Sequence, residues 1–219
     1  MLDSLILDLD GPILDGRQRQ YRCYSDIVLE LGGLPLAIDE YWSLKRKRID
    51  HAELLCRSGG VPSDGAFQRA WLERIELPDY LRLDVVQTGV RETLSAWRHE
   101  GRRLILATMR QSESNLIAQL SSLTLLEFFE YVVQVRGNTA TAAKDKASEV
   151  ARRVPNLGAG GTLWIGDTEV DLEAGRAVGT VVALVGCGIR EASWLATLDP
   201  DFLEDDLPAL EKCLKRCHI

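Results

Sequence analysis

A chain of 219 residues has room for one large α/β domain, or for one domain that carries a small insertion. Apolar residues make up 46% of it, enough to bury a sizeable core, and a net charge of −7 excludes a broad basic surface for nucleic acid. No apolar run approaches a membrane span, and the stretch from Met1 to Gly11 has no basic leader and is broken by Asp3, Asp8 and Asp10, so a soluble cytoplasmic protein is expected.

Taken in chain order, the first element is a short apolar run, Leu5 to Leu9, which reads as a buried parallel strand ending in acids and a glycine. A helix follows over Arg17–Leu31, with Tyr21, Tyr24, Ile27, Val28 and Leu31 on one face and Gly32-Gly33 ending it. Asp39 to Glu76 also reads as helices, punctuated by Gly59-Gly60-Val61-Pro62, with Pro78 beyond; no strand is predicted between Gly16 and about Thr88. The texture then changes to strand and helix in alternation. Helices are predicted over Val90–His99, Ser114–Leu120, Lys146–Val154, Leu172–Val178 and Asp206–Arg216. Strands are predicted over Arg103–Ala107, Tyr131–Val135, Thr162–Ile165 and Thr180–Val185. Such βα repeats imply a parallel sheet covered by helices on both faces, with ligands at the carboxyl ends of the strands. The helical block becomes an insertion after the first strand.

Two acidic clusters end strands of this sheet. The first is Asp8-Leu9-Asp10-Gly11, with Asp15 five residues further on; Asp8 and Asp10 would share a face if the strand continued that far. The second is Gly166-Asp167-Thr168-Glu169-Val170-Asp171, in which Asp171 stands near the start of a helix and can face Asp167. Either cluster alone could be loop acids or a helix cap. Both end buried strands, so together they predict a shared, oxygen-rich site suited to Mg2+. The five cysteines, Cys23, Cys56, Cys187, Cys213 and Cys217, are odd in number and irregularly spaced, which favours free thiols. Cys213, Cys217 and His218 lack the second ligand pair that a closed zinc site needs.

These segments resemble the haloacid dehalogenase superfamily. Asp8 to Asp15 is similar to its first motif, Asp-x-Asp-Gly after a hydrophobic strand, and Leu104-Ile105-Leu106-Ala107-Thr108 to its second. Gly166 to Gly175 resembles its fourth motif, and Gly175 to Gly188 the phosphoglycolate-phosphatase-like branch. For the third-motif lysine, Ala143-Lys144-Asp145-Lys146 offers two candidates; Lys146 is preferred because it opens the predicted helix, with Lys144 as runner-up. Three positions depart from the usual pattern or stand beside a departure. Pro12 replaces a common Thr or Val, Met109 stands where Asn is frequent, and Arg110 beside it reads as a solvated loop residue.

The resemblance implies a Rossmann-like core of the superfamily's fold, residues 1–16 and 87–219, with a small helical cap of the first type over residues 17–86. It implies a Mg2+-dependent phosphatase acting on a small phosphorylated metabolite, with no nucleic acid or membrane partner. Asp8 would be the nucleophile and Asp10 the acid and base. Thr108 and Lys146 would bind the phosphoryl group, Lys146 also neutralising Asp8. Asp8, Asp10 through its backbone carbonyl, Asp167 and Asp171 would hold or support the metal. An acid at Asp10 separates phosphatases from the dehalogenases of the same superfamily. The cap's basic run, Lys45-Arg46-Lys47-Arg48 with His51 beyond it, reads mostly as a solvated face. A phosphomutase, a non-catalytic binding member and a phospho-receiver domain are the alternatives. The last is disfavoured by the insertion and by the placement of the two first-motif acids.

Overall fold

The computed structural model describes residues 2–61, 65–137, 140–157 and 161–217. The chain divides into two compact units, Met1–Asp15 with Val86–Ile219, and Gly16–Val85.

The first unit is built on a six-stranded parallel sheet. Its strands are β1 (Ser4–Leu7), β4 (Arg103–Thr108), β5 (Tyr131–Gln134), β6 (Thr162–Gly166), β7 (Val181–Val185) and β8 (Phe202–Glu204), in the order β5-β4-β1-β6-β7-β8. Two more strands of two residues each, β2 (Leu14–Asp15) and β3 (Val85–Val86), flank the insertion in sequence. Helices α6 (Val90–His99), α7 (Glu113–Ser122), α8 (Ala142–Arg153), α9 (Glu169–Ala177), α10 (Ala192–Ala196) and α11 (Leu207–Cys217) also belong to this unit, with a 3-10 turn at Leu126–Phe128.

Strand alternation sorts the core into two layers. Leu5, Leu7, Leu104, Leu106, Leu163 and Ile165 face Leu94 and Trp97 of α6, Leu116 of α7 and Leu210 of α11. Ile6, Ile105, Ala107, Trp164 and Val182 face Val150 of α8, Leu172 and Ala174 of α9, and Leu195 of α10. Both faces are covered, which is why β1, β4 and β6 read as continuous apolar runs.

The strand β8 and the helix α10 have no counterpart in the predicted elements. β8 is a half-buried edge strand of three residues set among Asp199, Asp201, Asp205 and Asp206, so neither apolar run nor alternation marks it. β3 is likewise a two-residue strand inside a stretch read as strand-free.

The second unit comprises α1 (Arg17–Glu30), α2 (Ile38–Arg46), α3 (His51–Arg57), α4 (Ala66–Arg74) and α5 (Pro78–Leu81). Its core gathers Tyr24, Ile27, Val28, Tyr41, Leu54, Leu55 and Phe67, with the Tyr24 and Tyr41 rings stacked at 4.4 Å. Leu31, read as part of the α1 apolar face, follows the helix end and is 36% exposed. Within the basic run, Lys45 is not simply solvated: its Nζ lies 4.9 Å from the centre of the Trp71 ring. Arg19 and Asp84 form a buried pair inside this unit, Nε donating to Oδ1 at 2.7 Å. Among the described residues, no helix is long and apolar enough to cross a membrane.

Candidate active site

β1 is the central strand of the site. Leu7 is in register with Leu106 on one side and with Ile165 on the other. The residues just beyond, Asp8, Ala107-Thr108 and Gly166-Asp167, are therefore delivered to one edge of the sheet by strand pairing alone. The Asp8 N–H donates to the Ile165 carbonyl at 2.9 Å, which fixes the backbone at the first acid. Thr108 is buried at the end of β4.

Lys146 enters from α8. The helix begins at Ala142, so Lys146 lies one turn inside it rather than opening it. Its side chain is 1% exposed, and Nζ meets Asp8 Oδ1 at 2.9 Å and Asp171 Oδ1 at 2.7 Å. Lys144, two residues earlier, points to solvent. Burial alone would favour the neutral amine of Lys146. The Asp171 and Asp8 carboxylates outweigh it and raise its pKa above the usual lysine range.

Asp171, in the first turn of α9, is fully buried. Besides Lys146, its Oδ1 receives the Trp164 indole N–H at 3.5 Å, and its Oδ2 receives the Thr168 hydroxyl at 2.8 Å. Both oxygens are thus engaged by the protein. Asp167 is different. Its Oδ2 accepts the Ile189 N–H at 2.6 Å, while its Oδ1 is buried without a hydrogen-bond partner. Two glycines wall this carboxylate. A Cβ at Gly11 or at Gly188 would collide with it, and Gly11 also holds φ +105°, where side-chain-bearing residues are strained. The Gly11 carbonyl accepts from the Gln87 side-chain amide at 3.0 Å, tying the first-motif loop to the start of α6.

Oxygens of Asp8, Asp167 and Asp171 lie within 4.8 Å of one another. Three carboxylates face one ammonium; Asp167, Asp171 and Lys146 are buried, while the Asp8 side chain keeps 15% of its surface exposed. The carboxyl of Asp8 is pushed from the usual 3.8 up to about 7, first by burial and then by the charges of Asp171 and Asp10, with Lys146 opposing. Burial also raises Asp167 well above the carboxylate range, helped by the Asp8 and Asp171 charges.

Asp10 does not join this group. β1 ends at Leu7, so the first motif is a loop and strand alternation does not govern it. The Asp10 carboxylate turns to Arg110, accepting Nε at 2.6 Å and one terminal nitrogen at 2.8 Å. Arg110 is correspondingly not a solvated loop residue: it is 4% exposed. Asp15, in β2, is also outside the group, and Glu169 pairs with Arg190 instead. Sequence reasoning missed the roles of Arg110, Thr168, Trp164 and Ile189. Only Thr168 carried a usable signal, as a hydroxyl three residues before an acid at a helix start.

The departures from the family pattern leave the loop intact. Pro12 has no N–H to give, and the turn is closed through Gly11, Ile13 and Leu14, which donate to Leu14, Leu9 and Leu9 carbonyls. Met109 packs against the apolar layer of α8 and α9. Cys213 and Cys217 lie on α11, and His218 falls outside the described residues.

The donor set fits a hard divalent cation: the oxygens are anionic, closely spaced and short of positive charge, and Asp167 Oδ1 is an orphaned buried acceptor. Asp8 and Asp167 are the carboxylates with capacity to spare.

Comparison with known proteins gives the following likenesses. The sequence model of the haloacid dehalogenase-like hydrolases matches residues 2–179. The chain is 30% identical to a plasmid-encoded phosphoglycolate phosphatase of Cupriavidus necator, over 99% of this chain and 94% of that protein. It is 24% identical to the pyrophosphatase PpaX of Halalkalibacterium halodurans, over 95% of each. Its fold is similar to that of a haloacid dehalogenase-like hydrolase from Streptococcus pneumoniae, with a TM-score of 0.76 at 15% identity, covering 95% of this chain and 96% of the other.

Proposed function

The chain belongs to the haloacid dehalogenase-like hydrolase family and is a phosphatase of that family, and from this premise we propose that it hydrolyses a small phosphate monoester with Mg2+, through an aspartyl-phosphate on Asp8. The observation that carries this reading is the Lys146 ammonium held between Asp8 and Asp171, beside the partnerless oxygen of Asp167.

In the first half-reaction an Asp8 oxygen attacks phosphorus. The bond from phosphorus to the ester oxygen breaks, and that oxygen takes a proton from the acid form of Asp10, which the second half-reaction regenerates. In the second, water attacks the aspartyl-phosphate, Asp10 takes its proton, and inorganic phosphate leaves with Asp8 restored. Lys146 offsets the charge of Asp8 as the anionic substrate approaches, and Asp171 keeps the ammonium aimed at it. Thr108, at the end of β4, supplies a hydroxyl for a phosphoryl oxygen. Asp8, Asp167 and the Asp10 carbonyl would hold Mg2+, which shields the phosphoryl oxygens and lowers the repulsion between two anions. Asp171, whose oxygens are already engaged, supports this set. The helical unit, Gly16–Val85, is a compact body of its own, and a cap role for it, of the first type the resemblance implies, would favour a small substrate.

The likeness to a phosphoglycolate phosphatase makes 2-phosphoglycolate the first substrate to try. The test is phosphate release from a panel of phosphorylated metabolites, with Mg2+ and with a chelator, by the native chain and by Asp8→Asn. Release that needs Mg2+ and vanishes in the variant is expected. Full release by Asp8→Asn would falsify the assignment of the nucleophile.

A further inference from the structure

The two acids of the first motif are divided between two cations. Asp8 is paired with Lys146, and Asp10 with Arg110. Resting on the proposed aspartyl-phosphate chemistry, we propose that Arg110 is a positioning residue for Asp10, a two-toothed grip that holds its carboxylate apart from the Asp8, Asp167 and Asp171 oxygens.

The contact is a fork, not a single bond. Nε reaches one Asp10 oxygen at 2.6 Å and a terminal nitrogen reaches the other at 2.8 Å. A planar guanidinium with two parallel N–H donors fixes the rotation of a carboxylate, which the single point of an ammonium does not. The Arg110 side chain is 5% exposed against 27% for that of Asp10. The cation is the anchored partner and the acid the one open to the reaction.

The backbone beneath Arg110 is held on both sides. Thr108 ends β4 in register with Gln134 of β5. The buried Gln134 side-chain amide donates to the Arg110 carbonyl at 2.8 Å. On the far side, Ser112 caps α7 by accepting the Asn115 N–H at 3.4 Å. Two strand ends and a helix start thus pin the residue that grips Asp10.

The need for such a grip follows from the charge around it. Asp10 stands two residues from Asp8, in the loop that follows β1. Released, its carboxylate would compete with Asp8 for Lys146, the cation those oxygens share. Arg110 offers it a partner of its own, so Asp8 keeps its lysine and Asp10 keeps one orientation.

The test uses the full chain with Mg2+ and phenyl phosphate, whose phenolate is a strong enough base to need a proton on leaving. kcat and KM are measured for the native enzyme, Asp8→Asn, Asp10→Asn, Arg110→Gln, Arg110→Lys and the double variant Asp10→Asn/Arg110→Gln. Arg110→Gln is expected to lower kcat by about 10- to 10²-fold with KM within about threefold of native. Arg110→Lys, which keeps the charge and loses the fork, should fall between the two. Adding Arg110→Gln to Asp10→Asn should change kcat by no more than about twofold, because effects that act through one shared partner do not add.

A raised KM at native kcat, or losses that multiply in the double variant, overturns the proposal and makes Arg110 an independent anchor. If Arg110→Gln does not fold, Arg110→Lys decides: native kcat there overturns the proposal. A native enzyme that releases no phosphate, or an active Asp8→Asn, overturns the underlying chemistry and takes this proposal with it. An active native enzyme with a dead Asp8→Asn and native-like Arg110 variants overturns the grip alone.

Discussion

The two units of this protein each bury charge, and they do so in opposite ways. In the helical unit, Arg19 is paired with Asp84, with side chains 4% and 0% exposed and the guanidinium also near the Ile75 carbonyl at 3.4 Å. In the α/β unit, three carboxylates cluster beside one lysine that contacts only two of them, Asp8 and Asp171, and the pKa values of Asp8 and Asp167 are raised. The first arrangement is complete as it stands. The second is in deficit of positive charge, and a fold gains nothing in stability by keeping it. Unequal pairing, more than burial, distinguishes a site prepared for a cation and an anionic substrate from a structural ion pair.

This contrast is sharpest in catalysis. Lys146→Ala removes the cation that Asp8 and Asp171 share, and phosphate release should drop by about 10²–10³-fold, in the range of losing an electrostatic stabiliser. Lys144→Ala, at an exposed position two residues away, should stay within about twofold of native. Steady-state kinetics on the two variants side by side checks this, and a larger loss at Lys144 would reverse the assignment.

Stability should separate the units next. Asp84→Ala strands a buried guanidinium and is expected to cost about 3–5 kcal/mol in denaturant unfolding. Asp8→Asn, measured without divalent cation, should cost less than about 1 kcal/mol or stabilise, since it relieves repulsion and leaves Lys146 paired with Asp171. Equal losses from both variants would erase the distinction between the two kinds of buried charge.

A pH-dependent response to metal should follow. Asp8 and Asp167 bind protons more tightly folded than unfolded, so the folded state holds the extra protons and stability falls as pH rises from about 4 through about 7. A divalent cation needs the ionised carboxylates and should reverse that loss. At about a hundredfold excess over Kd, Mg2+ should add roughly 2.7 kcal/mol, a rise in Tm of about 5–10 °C near pH 7.5, and clearly less near pH 5. A thermal shift of the same size at both pH values would separate cation binding from these two carboxyls.

Much of the fold could be read from residue pattern because the elements that matter most are buried on both faces. The runs Leu5–Leu7, Leu104–Ala107 and Leu163–Ile165 admit few other readings. Asp8 and Asp167 were legible because each follows such a run, and parallel pairing of β1 with β6 brings their oxygens together. What stayed hidden was pairing over long separations with no local pattern. Arg110 stands 100 residues from Asp10, and Arg19 stands 65 residues from Asp84. Nothing near an arginine in sequence tells a solvated one from one that a distant carboxylate has drawn into the interior. Element edges were obscure for a different reason: the first turn of α8, Ala142 to Asp145, has only small and polar residues, so no apolar periodicity marks where the helix starts.

The central claim is that Asp8 carries the phosphoryl group, and rapid acid quench followed by peptide mass spectrometry tests it most directly. With Mg2+ and a turned-over phosphate ester, the peptide containing Asp8 should gain one phosphoryl group that hydroxylamine removes, and Asp8→Asn should show none. Phosphate release at full rate with Asp8 never modified, or with the label on another residue, would contradict the account.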